Sequence, residues 1–171
     1  DVYKRQGKIR SLPTQVLSLA EVKAWLSLCD LSCPWGLLDR AMLETVYGCG
    51  LRAGELHALE LDCLDLGAAT LTVRTSKNGD GRTSPLPAQT LEILTLYLAQ
   101  RKPDWGCERW LWVEPDGTRV SRHYLKNRIR LVYRPDLEYG AKLSQRALRH
   151  SFATHLLQGG AGVRQIGDLL G

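Results

Sequence analysis

No run of about eighteen apolar residues occurs in this chain, so no membrane-spanning helix is predicted, and no signal sequence is visible. The cysteines are too scattered for a metal site. Cys29 and Cys33 have a ligand-like spacing, but no second Cys or His pair follows at zinc-site distances. With Cys49, Cys63 and Cys107 they form an odd set, for which buried free thiols in a reducing cytosol are the expected state. The acidic residues are equally dispersed. Glu60, Asp62, Asp65 and Asp116 make no convincing metal set, which argues against a metal-dependent nuclease. Internal repeats and low-complexity tracts are also lacking, and no linker is long enough to divide the chain. A soluble, cytoplasmic protein without cofactor or membrane partner is expected.

What remains is 171 residues, 44% apolar and 24% charged, enough for one domain with a proper core. The net charge of +5 and pI near 9.1 suit a nucleic-acid partner, although many plain enzymes are as basic.

The chain is organised around residues 47–56, Y-G-C-G-L-R-A-G-E-L. A helical apolar pattern runs up to it, Gly48 and Gly50 bend the backbone, and Arg52 and Glu55 then share one face of a new helix. A guanidinium held at a glycine turn can grip a pair of anionic oxygens. Most Arg/Glu pairs at that spacing are surface ion pairs, so the stretch alone decides nothing.

Before it, Ser18 and Glu21 form a capping-box pattern, followed by Val22, Trp25, Leu26 and Cys29 at helical spacing. Pro34 breaks that helix, and a second runs to about Tyr47 with Leu38, Met42 and Val46 in one stripe. Trp25 and Trp35 are read as core, not as base-stacking platforms. The Arg52 helix fades near Leu61. Three short strands are expected at about 63–66, 70–74 and 82–86, with turn dipeptides Asn78-Gly79 and Asp80-Gly81 between the last two. A helix over 88–100 faces Leu91, Leu94 and Leu98 inward. The loop region 102–117 contains an apolar piece, 110–113, for which a buried tether is the default.

From Ser121 a helix carries Leu125, Ile129 and Val132 on one side and Arg122, Lys126, Arg130 and Arg134 on another. Four like charges in a stripe repel each other, and an anionic backbone nearby would relieve them. A solvated face is the alternative. The next helix holds Arg149 and His150, with Leu148, Phe152 and Leu156 at core spacing, and Gly159-Gly160 stops it. A last helix, 163–170, is expected to face Val163, Ile166 and Leu170 inward. The fold class is α+β, mainly α-helical.

Two arginines and a turn lysine in this order strongly resemble the catalytic domain of tyrosine recombinases, the phage-integrase family. The family's G-x-R-x-x-E-L, its strand-turn lysine and its x-x-L-R-H-[ST]-F-A-T-x-L are all legible, and type IB topoisomerases, which share the chemistry, fit the last motif less well. The resemblance implies a helical catalytic domain with a small three-stranded antiparallel sheet over residues 11–171, residues 1–10 being a linker or non-native. It implies site-specific DNA recombination or integration through a 3′-phosphotyrosyl intermediate, on double-stranded DNA, with a tetramer on DNA in the full-length parent.

By the same resemblance Arg52 and Arg149 clamp the scissile phosphate, Lys77 protonates the departing 5′-oxygen, and Glu55 orients Arg52. Arg82 becomes a phosphate contact, and Arg122, Lys126, Arg130 and Arg134 bind DNA. Arg146 stands where the family most often has a histidine; it can bind phosphate but cannot act as a base. His150 supports the site, His155 is structural, and His57 and His123 have no assigned role. Residues 167–171 match the start of G-x-x-L-G-H, so that histidine and the nucleophilic tyrosine would follow Gly171. None of the six tyrosines stands in that context, and the fragment alone is expected to be inactive. The alternative is a DNA-binding module without catalysis.

Overall fold

The computed structural model describes residues 16–74 and 81–171; the expected linker 1–10 and Lys77 lie outside the described residues. Helix α1, Leu19–Ser27, begins with the capping box read from the sequence. The Ser18 hydroxyl accepts from the Glu21 amide at 3.1 Å, and the Glu21 carboxylate accepts from the Ser18 amide at 2.7 Å. Val22, Trp25 and Leu26 turn inward. Helix α2, Pro34–Cys49, opens on a proline, whose missing N–H costs nothing in a first turn. It is the central rod, burying Leu38, Met42 and Val46, and it packs against α4, Ala88–Gln100, and α6, Gln145–Gln158. Trp35 departs from its expected core position. It sits in the exposed first turn of α2, 37% accessible, and stacks on Tyr124 with ring centroids 6.2 Å apart.

The two glycines before Arg52 act differently from one another. Gly48 does not bend the chain; it lies inside α2, where a Cβ would fall 2.7 Å from Thr90 Oγ1, so it permits close approach of α4. Gly50 makes the turn, at φ 61°, and a Cβ there would fall 2.7 Å from the Phe152 ring and 2.8 Å from Leu170. Gly50→Ala combines left-handed strain with overpacking and is expected to cost about 1–3 kcal/mol. Urea denaturation measures it, and a midpoint equal to wild type would refute the packing account.

Helix α3, Ala53–His57, ends earlier than its apolar pattern suggested, and a 3-10 turn, Leu61–Cys63, follows. Strands β1, Leu64–Asp65, β2, Thr70–Val73, and β3, Arg82–Pro85, form one antiparallel sheet in that order. Leu71 pairs with Ser84 and Val73 with Arg82. Directly paired residues share a face of the sheet, and Leu71 and Val73 are buried, so Arg82 is drawn toward the inner side.

Residues 110–113 act as the tether. Leu111, Trp112 and Val113 are buried, bridges join Glu60 to Trp110 and Val113 to Arg119, and Trp112 Nε1 donates to the Leu56 carbonyl at 2.9 Å. Arg101 closes the loop by donating to the carbonyls of Cys107, Glu108, Trp110 and Leu111.

Beyond it, α5, Tyr124–Arg128, widens into a π-helical turn, Ile129–Tyr133, and then tightens to a 3-10 turn, Arg134–Asp136. That change of pitch breaks the expected four-residue stripe. Arg134, expected on DNA with Arg122, Lys126 and Arg130, swings in and donates to the Leu143 carbonyl from Nε at 3.3 Å and Nη2 at 2.9 Å. The same turn builds a buried network on Asp39 of α2, which is fully buried. Asp39 accepts from Tyr124 at 2.8 Å, Tyr133 at 2.5 Å and Arg128 Nε at 2.7 Å, with Arg128 Nη2 at 2.6 Å.

Helix α6 starts where the Ser144 hydroxyl accepts from the Ala147 amide at 3.0 Å. Helix α7, Val163–Leu170, buries Ile166, but Val163, expected inward, is 77% exposed. All five cysteines are free; Cys29, Cys49 and Cys63 are buried. Among the described residues no helix is long and apolar enough to cross a membrane.

Candidate active site

Arg52 is the N-cap of α3, with extended backbone, and Glu55 is the third residue of that helix. The Glu55 carboxylate reaches back to accept from the Arg52 amide at 2.8 Å and from Arg52 Nη1 at 3.0 Å. A second guanidinium arrives from β3: Arg82 forks onto the same carboxylate, Nη1 to Oε1 at 2.9 Å and Nη2 to Oε2 at 2.8 Å. A third comes from α6, where Arg149 Nη1 stands 3.7 Å from Glu55 Oε2. Arg149 also donates to the Gly50 carbonyl at 2.5 Å and to the Leu170 carbonyl at 3.0 Å. Arg52 Nη2 donates to the Gly171 backbone oxygen at 2.7 Å. Residues far apart in sequence thus meet around one carboxylate.

Exposure separates the three. Arg52 keeps 52% of its side chain accessible, Arg149 17% and Arg82 9%. Burial opposes ionisation of Glu55, but the Arg82 side-chain bonds, the Arg52 amide and the Arg82 charge prevail and hold its carboxyl at about 2. Burial lowers the Arg149 pKa, and repulsion from Arg52 and Arg82 adds to it; the group remains a cation at working pH. Three cations around one anion make a site for a second anion.

The depressed Glu55 pKa has a stability consequence. The unfolded carboxyl titrates near 4.5 and the folded one near 2, so its contribution is complete above 4.5 and lost as pH falls to about 2. Glu55→Gln is expected to flatten the acid loss of stability in that window. Denaturant melts at several pH values test this, and an unchanged acid slope would contradict it.

The other expected site residues are placed as follows. Arg146 is exposed on α6, one turn before Arg149. His150 is exposed and, with Arg149, borders a groove of about 400 Å³ walled by Leu157, Val163 and Ile166. Arg122, Lys126 and Arg130 are exposed, whereas Arg134 is turned in. Arg82, expected on a phosphate, is instead committed to Glu55. His155 Nδ1 hydrogen-bonds the Tyr47 hydroxyl at 2.8 Å.

Each of the five described tyrosines has its hydroxyl engaged: Tyr47 with His155, Tyr97 with residues 111 and 113, Tyr124 and Tyr133 with Asp39, and Tyr139 with the Glu21 carbonyl. Burial raises all five pKa values, Tyr97 to about 12, so none is primed as a nucleophile.

Sequence reasoning missed a second basic cluster at the far end of α3. Arg119 Nη2 lies 3.1 Å from the His57 carbonyl and 3.2 Å from its Nδ1. The Arg119 guanidinium lies over Trp110 at 3.2 Å from the ring centre, and that of Arg109 at 4.3 Å. Burial first, then Arg119 and Arg122, push His57 toward its neutral form. These residues come from separate segments, so no linear spacing announces them.

The model of the phage integrase family matches residues 15–171. The chain is 37% identical over 172 aligned residues to tyrosine recombinase XerC of Natranaerobius thermophilus, covering 96% of this chain and 56% of that protein. It is 35% identical to tyrosine recombinase XerA of Thermococcus kodakarensis, covering 95% and 55%. It spans about half the length of the curated relatives it matches. Among solved structures, a XerA recombinase superposes with a TM-score of 0.77 at 26% identity, over 92% of this chain and 56% of that one. A XerH site-specific recombinase bound to difH substrate, in a pre-cleavage complex, shares the fold with a TM-score of 0.73 at 21% identity, over 93% and 47%.

Proposed function

This chain belongs to the phage integrase family, and from that membership and the arginine site together we propose that it is the catalytic core of a site-specific DNA recombinase. The observation that carries the reading is the meeting of Arg52 and Arg149, from α3 and α6, around Glu55. Strand exchange takes a phosphodiester through a five-coordinate state with added charge on its non-bridging oxygens. Fixed guanidinium donors aimed at those oxygens stabilise that state more than the starting diester. Arg52 and Arg149 supply them, Lys77 protonates the leaving 5′-oxygen, and Arg146 contacts a flanking phosphate. Arg122, Lys126 and Arg130 lie along the neighbouring duplex backbone. The nucleophile is a tyrosine that the family pattern places after Gly171. The full protein acts on double-stranded DNA as an oligomer.

The test continues the chain to that tyrosine and presents a nicked duplex suicide substrate. A protein–DNA band that survives denaturation, and vanishes in Arg52→Ala, is the expected result. Binding that leaves no such band would favour the alternative of a DNA-binding module without catalysis.

A further inference from the structure

The residue that the sequence made a DNA contact has a different surrounding. Arg82 opens β3 and pairs with Val73, which points it under the sheet instead of toward solvent. Its side chain is 9% exposed, its fork is closed on both oxygens of Glu55, and its Nε is buried without a hydrogen-bond partner. Two of its five N–H donors are committed to Glu55 and the unpartnered Nε is shut away from solvent, so this guanidinium is not presented to an outside phosphate. Glu55 would otherwise be a carboxylate held at one oxygen by the Arg52 amide and facing two arginines of unequal exposure. The Arg82 fork fixes its plane. The two remaining side-chain contacts, Arg52 Nη1 at 3.0 Å and Arg149 Nη1 at 3.7 Å, are made to a carboxylate whose orientation β3 sets together with the Arg52 amide.

We propose that Arg82 is a positioning residue that acts through Glu55 to fix the orientation of Arg52 and Arg149, and that it does not contact DNA. The inference rests on the recombinase reading for its consequence in catalysis, but its geometry is independent of it. Arg82→Gln keeps length and loses the charged fork. In the tyrosine-containing protein it is expected to slow single-turnover cleavage about 100-fold, the penalty typical of a reacting group displaced by an ångström. Arg82→Lys, which keeps charge but not the fork, restores only part of that rate. Arg82→Gln combined with Glu55→Gln is no slower than the slower single variant, because both act on one path.

Two measurements on the 171-residue chain separate this from a phosphate contact and from the function itself. The slope of log affinity for duplex DNA against log salt stays at the wild-type value in Arg82→Gln, whereas loss of a phosphate contact would flatten it by about 0.9. The guanidinium N–H resonances of Arg52 and Arg149 are distinct in wild type and averaged in Arg82→Gln, with partial recovery in Arg82→Lys. A flattened salt slope, unchanged arginine resonances, or additive cleavage losses in the double variant would each overturn the proposal. Should Arg82→Gln not fold, Arg82→Lys carries the same readouts. If wild type forms no covalent adduct, the recombinase reading falls, and the resonances and salt slope still decide what Arg82 does.

Discussion

Asp39→Ala is expected to remove about 3–5 kcal/mol of stability, the largest loss from any single side chain considered, because it breaks a buried ion pair by deleting one partner. The fully buried carboxylate holds Arg128 through two nitrogens and accepts the hydroxyls of Tyr124 and Tyr133. Truncation leaves a guanidinium and two phenols without their acceptor inside the junction of α2 with the π turn. Burial, with the Asp39 charge adding, drives both tyrosine pKa values upward and keeps the phenols as donors to Asp39. Tyr133→Phe removes one donor and leaves the ion pair, and should cost only about 1 kcal/mol. Urea denaturation of the two variants side by side is the measurement. An Asp39→Ala loss no larger than that of Tyr133→Phe would show that the network is dispensable.

On the proposed reading, Arg52→Ala in the tyrosine-containing protein should produce the largest functional loss with almost no structural one. Removing a donor that acts on the transition state costs about 3–4 kcal/mol, or a 100- to 1000-fold slower cleavage. Its ion pair with Glu55 is solvent-accessible on the arginine side, where such pairs contribute about 0–1 kcal/mol. Arg149→Ala should be different. It also abandons the carbonyls of Gly50 and Leu170, so its loss of cleavage comes with loosening of the α2 turn and of α7. The pair of variants therefore separates chemistry from support. Single-turnover cleavage and denaturant midpoints, measured on both, test the division. Arg52→Ala cleaving within tenfold of wild type would falsify the clamp assignment.

Much of this was legible before any coordinates. The capping box at Ser18, the three strands within a residue or two of their ends, the buried tether at 110–113 and the stop at Gly159-Gly160 follow from local patterns that the structure keeps. What failed did so where tertiary contacts override period. The helix from Ser121 reads as a regular charged stripe, but the π turn shifts its pitch, so Arg134 rotates inward while Arg128 finds Asp39. Asp39 lies in an apolar helix with nothing nearby in sequence to announce its partners. Arg82 is the instructive case. In the structure buried Ser84 and Leu86 alternate with exposed Thr83 and Pro85, which puts Arg82 on the inner face. The residue types R-T-S-P-L hold only one large apolar side chain, so their pattern does not announce that face.

Three guanidiniums gathered on a single carboxylate leave two positive charges without a counterpart. A resting phosphodiester brings one negative charge to them, and the five-coordinate species brings more. On the proposed reading, Glu55 therefore cancels one guanidinium charge and leaves the other two to gain most as the barrier is climbed, with the Lys77 ammonium giving its proton to the leaving oxygen.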